Sequence, residues 1–134
     1  VGAEQTMTTV VAAVIGRDGQ VLIGQRPAGK QHGLKWEFPG GKVEPGESPE
    51  GALRRELDEE LGIQAAIGDR IADYEYAYPG REPIRLVFFA VGEFTGTMEN
   101  RVFEQVRWET RERLPSYDFL EGDVDFVRLL AERH

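Results

Sequence analysis

The chain has 134 residues, 40 % of them apolar, and a formal net charge of −8 at neutral pH. This length predicts one hydrophobic core, and the apolar fraction argues against a disordered chain. The acidic balance disfavours a nucleic-acid polymer as partner, because phosphate backbones are bound mainly by clustered Lys and Arg, and the absence of Cys excludes disulfides and thiolate metal sites.

Nothing in the sequence predicts a membrane span. The longest strongly apolar run, residues 10–15, is far shorter than the ~18 residues that a span requires. We therefore expect a cytoplasmic protein without a membrane partner. Residues 1–7 are expected to be a disordered terminus or an expression remnant, and residues 8–134 to form the folded domain.

The first part of the chain contains three strand-like segments. Residues 8–15 and 21–23 flank an Asp-Gly pair, which predicts a hairpin. Residues 35–38 predict a short strand with Trp36 and Phe38 on one face and Glu37 on the other. The Pro-Gly-Gly sequence that begins at Pro39 is expected to end this strand.

A helix is predicted at residues 49–61, and its two ends are marked clearly. Ser48 is a favourable N-cap, Pro49 occupies the first helical position, and Gly62 follows the last apolar residue, where a left-handed C-cap is expected. The spacing of its leucines gives this helix one narrow buried stripe, made of Leu53, Leu57 and Leu61.

The second half of the chain adds strands and one helix. Residues 70–78 alternate, residues 84–91 form a nearly continuous apolar strand suited to the centre of a sheet, and residues 106–108 predict a short strand. Residues 124–132 predict a terminal helix with one apolar face. The pattern predicts an α+β fold with a mixed sheet packed between helices.

Three carboxylates, Glu56, Glu59 and Glu60, lie along the edge of the leucine stripe of the first helix. A carboxylate beside an apolar stripe is partly desolvated and needs a partner. Arg55 can reach Glu59 one turn away, but one guanidinium does not neutralise three acids. A shared Mg²⁺ would turn the repulsion into coordination. The alternative is an exposed helix face held by ordinary salt bridges.

The residues before this helix extend the pattern. The stretch "GGKVEPGESPEGALRRELDEELGI" resembles the signature of the Nudix hydrolase family, in which a Gly, a Glu and an Arg-Glu-apolar-any-Glu-Glu-any-Gly-apolar segment have fixed spacing. Nine specified positions match within 23 residues, which makes the resemblance highly specific. The matching residues are Gly41, Glu47, Arg55, Glu56, Leu57, Glu59, Glu60, Gly62 and Ile63.

The resemblance implies an α/β/α sandwich around a mixed sheet. It also implies hydrolysis of a nucleoside diphosphate linked to another group, with Mg²⁺ or Mn²⁺ as cofactor. In this family Glu56, Glu59 and Glu60 would bind the metal directly or through water. The carbonyl of Gly40 would be a further metal ligand.

The family also suggests roles for the remaining residues of the signature. Arg55 would orient the carboxylates, and Glu47 would support the water molecules bound to the metal. We expect Glu56 to be the general base and keep Glu59 as the rival, because a carboxylate crowded by a metal is a weak base.

The segments "VVAAVIGRDGQVLIGQRP" and "WEFPGGKVEPGES" resemble the MutT-like enzymes of the family, which cleave nucleoside triphosphates to the monophosphate and pyrophosphate. This resemblance implies a nucleotide-pool sanitiser for 8-oxo-dGTP. Arg26 and Phe38 correspond to residues near the base, although a strand-edge cation and a core ring are the alternatives, and for Phe38 we favour the core. We also expect Lys42 to bind the substrate.

The sequence departs from the MutT pattern at two places. The further metal-binding Glu of MutT has no single counterpart before Trp108: Glu104 is the better candidate and Glu99 the poorer. Where MutT has an Asn that reads the base, this chain has Asp123, which could equally cap the terminal helix. As a base reader it could accept from the N4 amine of cytosine or from N7–H of 8-oxoguanine.

Other functions remain open at this stage. A pyrophosphohydrolase of CTP, dCTP or a modified dCTP is the first alternative to 8-oxo-dGTP, and a Nudix hydrolase of dinucleoside polyphosphates or ADP-ribose is the second. A non-catalytic nucleotide-binding module is disfavoured, because every acidic position of the signature is intact. We expect the protein to be a monomer or a homodimer.

Overall fold

The computed structural model describes residues 7–133, so the expectation for the N-terminus falls largely on residues 1–6, outside the described part. Within the described part no helix is long and apolar enough to cross a membrane. Residues 7–133 contain two α-helices, α1 at Pro49–Leu61 and α2 at Val124–Glu132. The strands are β1 Thr9–Arg17, β2 Gln20–Gln25, β3 Trp36–Glu37, β4 Gly40–Lys42, β5 Gln64–Ala66, β6 Arg70–Tyr76, β7 Ile84–Val91, β8 Glu93–Thr95 and β9 Gln105–Thr110, with 3₁₀ turns at Arg111–Ser116 and Glu121–Asp123.

Seven strands form one mixed sheet. Its main order is β3-β2-β1-β7-β6, with β4 also paired to β1 and β9 to β2. β1 and β7 run parallel, from Thr9 opposite Arg85 to Ile15 opposite Val91, whereas their other neighbours pair antiparallel. β5 and β8 form a separate two-stranded ribbon. The mixed sheet confirms the predicted α+β class.

The hydrophobic core has one half on each face of this sheet. Alternation along the central strand β7 sends Phe89 to the face covered by α1 and Phe88 to the face covered by α2. The leucine stripe of α1 is fully buried on the first face, and Phe126, Val127 and Leu130 of α2 are buried on the second. Helices therefore cover both faces, as the expected α/β/α sandwich requires.

Local signals in the sequence set both ends of α1. The Ser48 hydroxyl accepts a hydrogen bond from the N–H of Gly51 at 3.0 Å, and Gly62 ends the helix with a left-handed φ of 69°. The predicted bounds 49–61 are confirmed, and so are the bounds 124–132 of α2. The buried stripe of Leu53, Leu57 and Leu61 sets the rotation of α1 about its axis, and hence the direction of its glutamates.

The predicted end of the strand before Pro39 is confirmed, because β3 ends at Glu37, but the chain then re-enters the sheet at once as β4. Gly40 lies opposite Ala12 of β1, and a side chain at Gly40 would collide with the backbone of Val11. A side chain at Gly41 would collide with the carboxyl of Glu56. Both glycines are thus required by a close approach, which brings β4 against the acidic residues of α1.

Candidate active site

A cavity of about 1000 Å³ opens beside β4 and the acidic side of α1. Its wall combines carboxylates, basic side chains and aromatic rings. Nearly all of the candidate site residues of the sequence line it, namely Arg26, Phe38, Gly40, Lys42, Glu56, Glu59, Glu60 and Asp123. The structure therefore brings the signature and the expected base-binding residues to one place.

Glu60 is a strongly perturbed carboxyl of the cavity. Its Oε1 accepts a hydrogen bond from the backbone N–H of Gly40 at 3.2 Å. Burial, followed by the charges of Glu56 and Glu37, raises the pKa of Glu60 to about 9. When no cation is bound, these surroundings favour the protonated form of the carboxyl, and a hydrogen bond with Glu56 contributes to the raised pKa.

Arg55 holds the other acidic residues of the signature. Its guanidinium donates two hydrogen bonds to Glu47, at 2.7 Å and 2.9 Å, and a third to the carbonyl of Lys42 at 3.1 Å. Its remaining nitrogen lies 3.1 Å from Glu56 and 3.3 Å from Glu59. The bond from Arg55 lowers the pKa of Glu47 to about 2. Arg55 therefore ties the turn before α1 to the carboxylates on it.

The three helix glutamates differ in exposure. Glu56 is 17 % exposed and lies next to Glu60, whereas Glu59 is 58 % exposed and reaches Arg55 from the solvent side. In residues 7–133 no three His, Asp or Glu side chains are already arranged around a metal position. Glu59 pairs instead with Arg55, at 3.3 Å.

These residues nevertheless have the chemistry of a divalent-cation site. The carboxyls of Glu56 and Glu37 lie close enough to Glu60 to raise its pKa. Hard cations such as Mg²⁺ bind through carboxylate and carbonyl oxygens and keep several waters. The donor set fits such an ion, provided that Glu60 ionises and Glu59 turns from Arg55 towards its neighbours.

Arg26 and Glu37 form an ion pair beside the acidic cluster. Arg26 donates to both carboxylate oxygens of Glu37, at 3.2 Å and 3.3 Å, and to the carbonyl of Gln31 at 2.9 Å. Burial raises the pKa of Glu37 despite the opposing charge of Arg26. The charge of Glu37 acts on Glu60 and also on Asp123. Glu37 thus connects the acidic cluster with the aromatic part of the cavity.

Asp123 and Phe38 lie in that aromatic part. Phe38 is 3 % exposed and packs against Phe119 and Phe126, so it is a core ring that also lines the cavity. Asp123 is 7 % exposed, and burial followed by the charge of Glu37 raises its pKa to about 8. The interpretation of Asp123 as a capping side chain is wrong, because it precedes α2 in a helical backbone conformation and makes no capping hydrogen bond.

The two candidates for a further metal ligand lie away from the cavity wall. Glu104 is exposed, and its N–H donates to the carbonyl of Gln25 at 2.8 Å. The Glu99 carboxylate pairs with Arg101 at 2.7 Å. Between them, Val102 and Phe103 line the cavity instead.

Sequence reasoning missed Glu37 as a residue of the site. The only signal was its position between Trp36 and Phe38, on the opposite face of a two-residue strand from two buried rings. Tyr78 and His32, whose rings lie 5.2 Å apart on the cavity wall, gave no signal because their loops are distant in sequence.

Comparison with known proteins gives consistent results. The family model described as NUDIX domain matches residues 5–130. The chain is 42 % identical to a CTP pyrophosphohydrolase of Escherichia coli, over 95 % of this chain and 96 % of that protein. It is 34 % identical to an 8-oxo-dGTP diphosphatase of Haemophilus influenzae, over 98 % and 97 %. The solution structure of the E. coli ORF135 protein matches with a TM-score of 0.84 and 41 % identity, covering 95 % of this chain and 91 % of that one.

Proposed function

The chain belongs to the NUDIX domain family, whose relatives are hydrolases of nucleotide phosphoanhydride bonds, and from this premise we propose that it is a Mg²⁺-dependent nucleoside triphosphate pyrophosphohydrolase. Its products would be the nucleoside monophosphate and pyrophosphate. The observation that carries the proposal is the half-buried carboxyl cluster of Glu56, Glu60 and Glu37 on the cavity wall, in which the charges of Glu56 and Glu37 raise the pKa of Glu60.

In this proposal Glu56, Glu59, Glu60 and the Gly40 carbonyl hold the ion. Bound there, a divalent cation would neutralise phosphate oxygens and polarise the attacking water. Glu104 is left out of the ligand set, because Val102 and Phe103 take the cavity wall beside it.

The other signature residues have supporting roles in the proposal. Glu47 fixes Arg55 through two hydrogen bonds, and Arg55 in turn orients Glu56. Glu56 would accept the proton of the attacking water, with Glu59 as the rival base. Lys42, at the exposed edge of the cavity, would contact the phosphate chain as a mobile positive charge.

For the base, we propose a cytosine nucleotide as the first candidate and 8-oxo-dGTP as the second. The sequence alone favoured 8-oxo-dGTP, but the 42 % identical relative is named a CTP pyrophosphohydrolase. Protonated Asp123 would offer one donor and one acceptor, which complement N3 and the N4 amine of cytosine. The same pair also complements O6 and N7–H of 8-oxoguanine, which keeps the second candidate open.

The test is pyrophosphate release from a panel of nucleoside triphosphates with and without Mg²⁺. The panel includes CTP, dCTP, UTP, dGTP and 8-oxo-dGTP, together with ADP-ribose and a diadenosine polyphosphate. We expect Mg²⁺-dependent release of pyrophosphate, fastest with a cytosine nucleotide. Hydrolysis of only the last two compounds would refute the triphosphate assignment, and no hydrolysis of any compound would favour a binding module.

A further inference from the structure

Three tyrosines of one strand reach the short turn that carries Asp123. Tyr74 and Tyr76 lie on β6, Tyr78 follows it directly, and the spacing of two puts all three on the same side. Their hydroxyl groups contact the 3₁₀ turn Glu121–Asp123, which lies more than forty residues further along the chain.

Two of these hydroxyls form hydrogen bonds with the backbone of the same residue, Gly122, one with its carbonyl and one with its N–H. Tyr74 donates to the carbonyl of Gly122 at 2.6 Å, and the N–H of Gly122 donates to the hydroxyl of Tyr78 at 3.0 Å. Tyr76 differs, because it donates only to the exposed carboxylate of Glu121 at 3.2 Å. Tyr74 and Tyr78 therefore act on the backbone of the turn, and Tyr76 on one of its side chains.

Gly122 is closely surrounded by side chains. A Cβ atom at this position would lie 2.9 Å from the Tyr78 hydroxyl and 3.1 Å from a methyl group of Leu86. The next residue is Asp123, whose N–H closes the turn on the carbonyl of Leu120 at 2.9 Å. Asp123 makes no capping hydrogen bond of its own, so these backbone contacts fix the point at which its side chain leaves the turn.

Tyr78 also belongs to the cavity wall. Its ring packs against that of His32 in a tilted arrangement with centroids 5.2 Å apart, and it meets the ring of Tyr76 edge-on at 4.9 Å. His32 has a left-handed φ of 57°, which is strained for a residue other than Gly and indicates a loop held by its surroundings. Tyr78 thus joins the loop before β3 to the turn that carries Asp123.

We propose that Tyr74 and Tyr78 are positioning residues that clamp the backbone of Gly122 and so aim the Asp123 carboxyl at the nucleotide base. The inference rests on the proposed function, in which Asp123 contacts the base. It makes the choice of base depend on two hydroxyl groups that need not touch the substrate.

The first test compares Tyr74→Phe and Tyr78→Phe with the matched control Tyr76→Phe. The readout is the ratio of kcat/KM for CTP over UTP, and for 8-oxo-dGTP over dGTP, since each pair differs at a base edge that Asp123 could read. Losing one hydrogen bond to the turn is expected to reduce the favoured ratio roughly two- to tenfold. The change should lie mainly in KM, and Tyr76→Phe should keep the wild-type ratio.

A second background separates positioning from general weakening. If the tyrosines act through Asp123, then Tyr74→Phe should change the ratio no further in an Asp123→Asn protein. Gly122→Ala disturbs the same joint without removing a hydroxyl, so it should lower the ratio as well, even if one Tyr→Phe variant fails to fold. Unchanged ratios in folded Tyr74→Phe and Tyr78→Phe proteins would overturn the proposal, and so would equal losses with and without Asp123.

Direct binding keeps this inference separate from the proposed function. If the wild-type protein hydrolyses no triphosphate, the proposed function fails, but calorimetric titration with CMP, UMP, 8-oxo-dGMP and dGMP still measures base discrimination. Loss of discrimination in the two variants, but not in Tyr76→Phe, would support the clamp. A wild-type protein that binds all four monophosphates equally would overturn it.

Discussion

Replacing Glu60 by Gln should stabilise the metal-free protein while abolishing Mg²⁺-dependent turnover. The pKa of Glu60 is about 9 in the folded protein, against an ordinary value of 4.5. The folded state therefore binds an extra proton between these values, and its stability falls as the pH rises from about 4.5 towards 9. At pH 7 the accumulated penalty is about 3 kcal/mol, at roughly 1.4 kcal/mol for each pH unit above the ordinary pKa.

Gln removes this penalty because it stays neutral while keeping an oxygen for the N–H of Gly40. Thermal or urea unfolding without metal at pH 7 should show a gain approaching 3 kcal/mol, or roughly 10 °C in Tm, and no gain near pH 4. Asp58→Asn is the matched control, because Asp58 is an exposed acid on the same helix and should give no comparable gain. Added Mg²⁺ should stabilise the wild type and not the Glu60→Gln variant.

Two results would refute this reasoning separately. Near-normal Mg²⁺-dependent turnover of the Glu60→Gln protein would refute the metal assignment. A variant that is no more stable than the wild type at pH 7 without metal would show that ionising the Glu60 carboxyl costs no free energy in the folded protein, whatever its role in catalysis.

Gly41→Ala is expected to lower kcat about tenfold or more, because the added methyl group overlaps the Glu56 carboxyl. The measurement is the activity of the variant and of the wild type over a titration with Mg²⁺. Arg55→Lys should raise the pKa of Glu47 from about 2 towards 4.5, as measured by NMR titration of its carboxyl carbon, since Lys cannot form the two-pronged bond. A Glu47 pKa that stays near 2 would contradict it. The KM of the wild type is expected to change around pH 8, where Asp123 ionises, and Asp123→Asn should remove this change. A pH profile of KM that is the same in the variant and the wild type would exclude Asp123 from base contact.

The sequence predicted α1 and its carboxylates well, because the signals are local. Ser48, Gly62 and the leucine stripe together determine where the helix begins, ends and faces, and the direction of Glu56 and Glu60 follows from helical geometry. The same local reasoning placed the bounds of α2 and of β7 correctly.

What the sequence did not predict depends on distant partners. β4, β5 and β8 have three residues each, too few to show a period of two, and β4 and β5 also have little β-propensity, so pairing with neighbours decides that they are strands. Glu37 gains its importance from Arg26 and from carboxyls elsewhere in the chain. The outward position of Glu104 follows from a loop tied to α1 by bonds from Arg101 to the backbone of Asp58 and Glu60. Periodicity carries no information on such contacts.

Glu37 has a consequence for how the enzyme would work as a whole. Its charge raises the pKa of both Glu60 and Asp123, so a change in the protonation of Glu37 alters the free energy of ionising both groups. By thermodynamic reciprocity, a cation that favours ionised Glu60 must change nucleotide affinity by the same factor by which the nucleotide changes cation affinity. Base recognition and metal binding are then thermodynamically coupled. Glu37→Gln is the substitution that should remove this coupling.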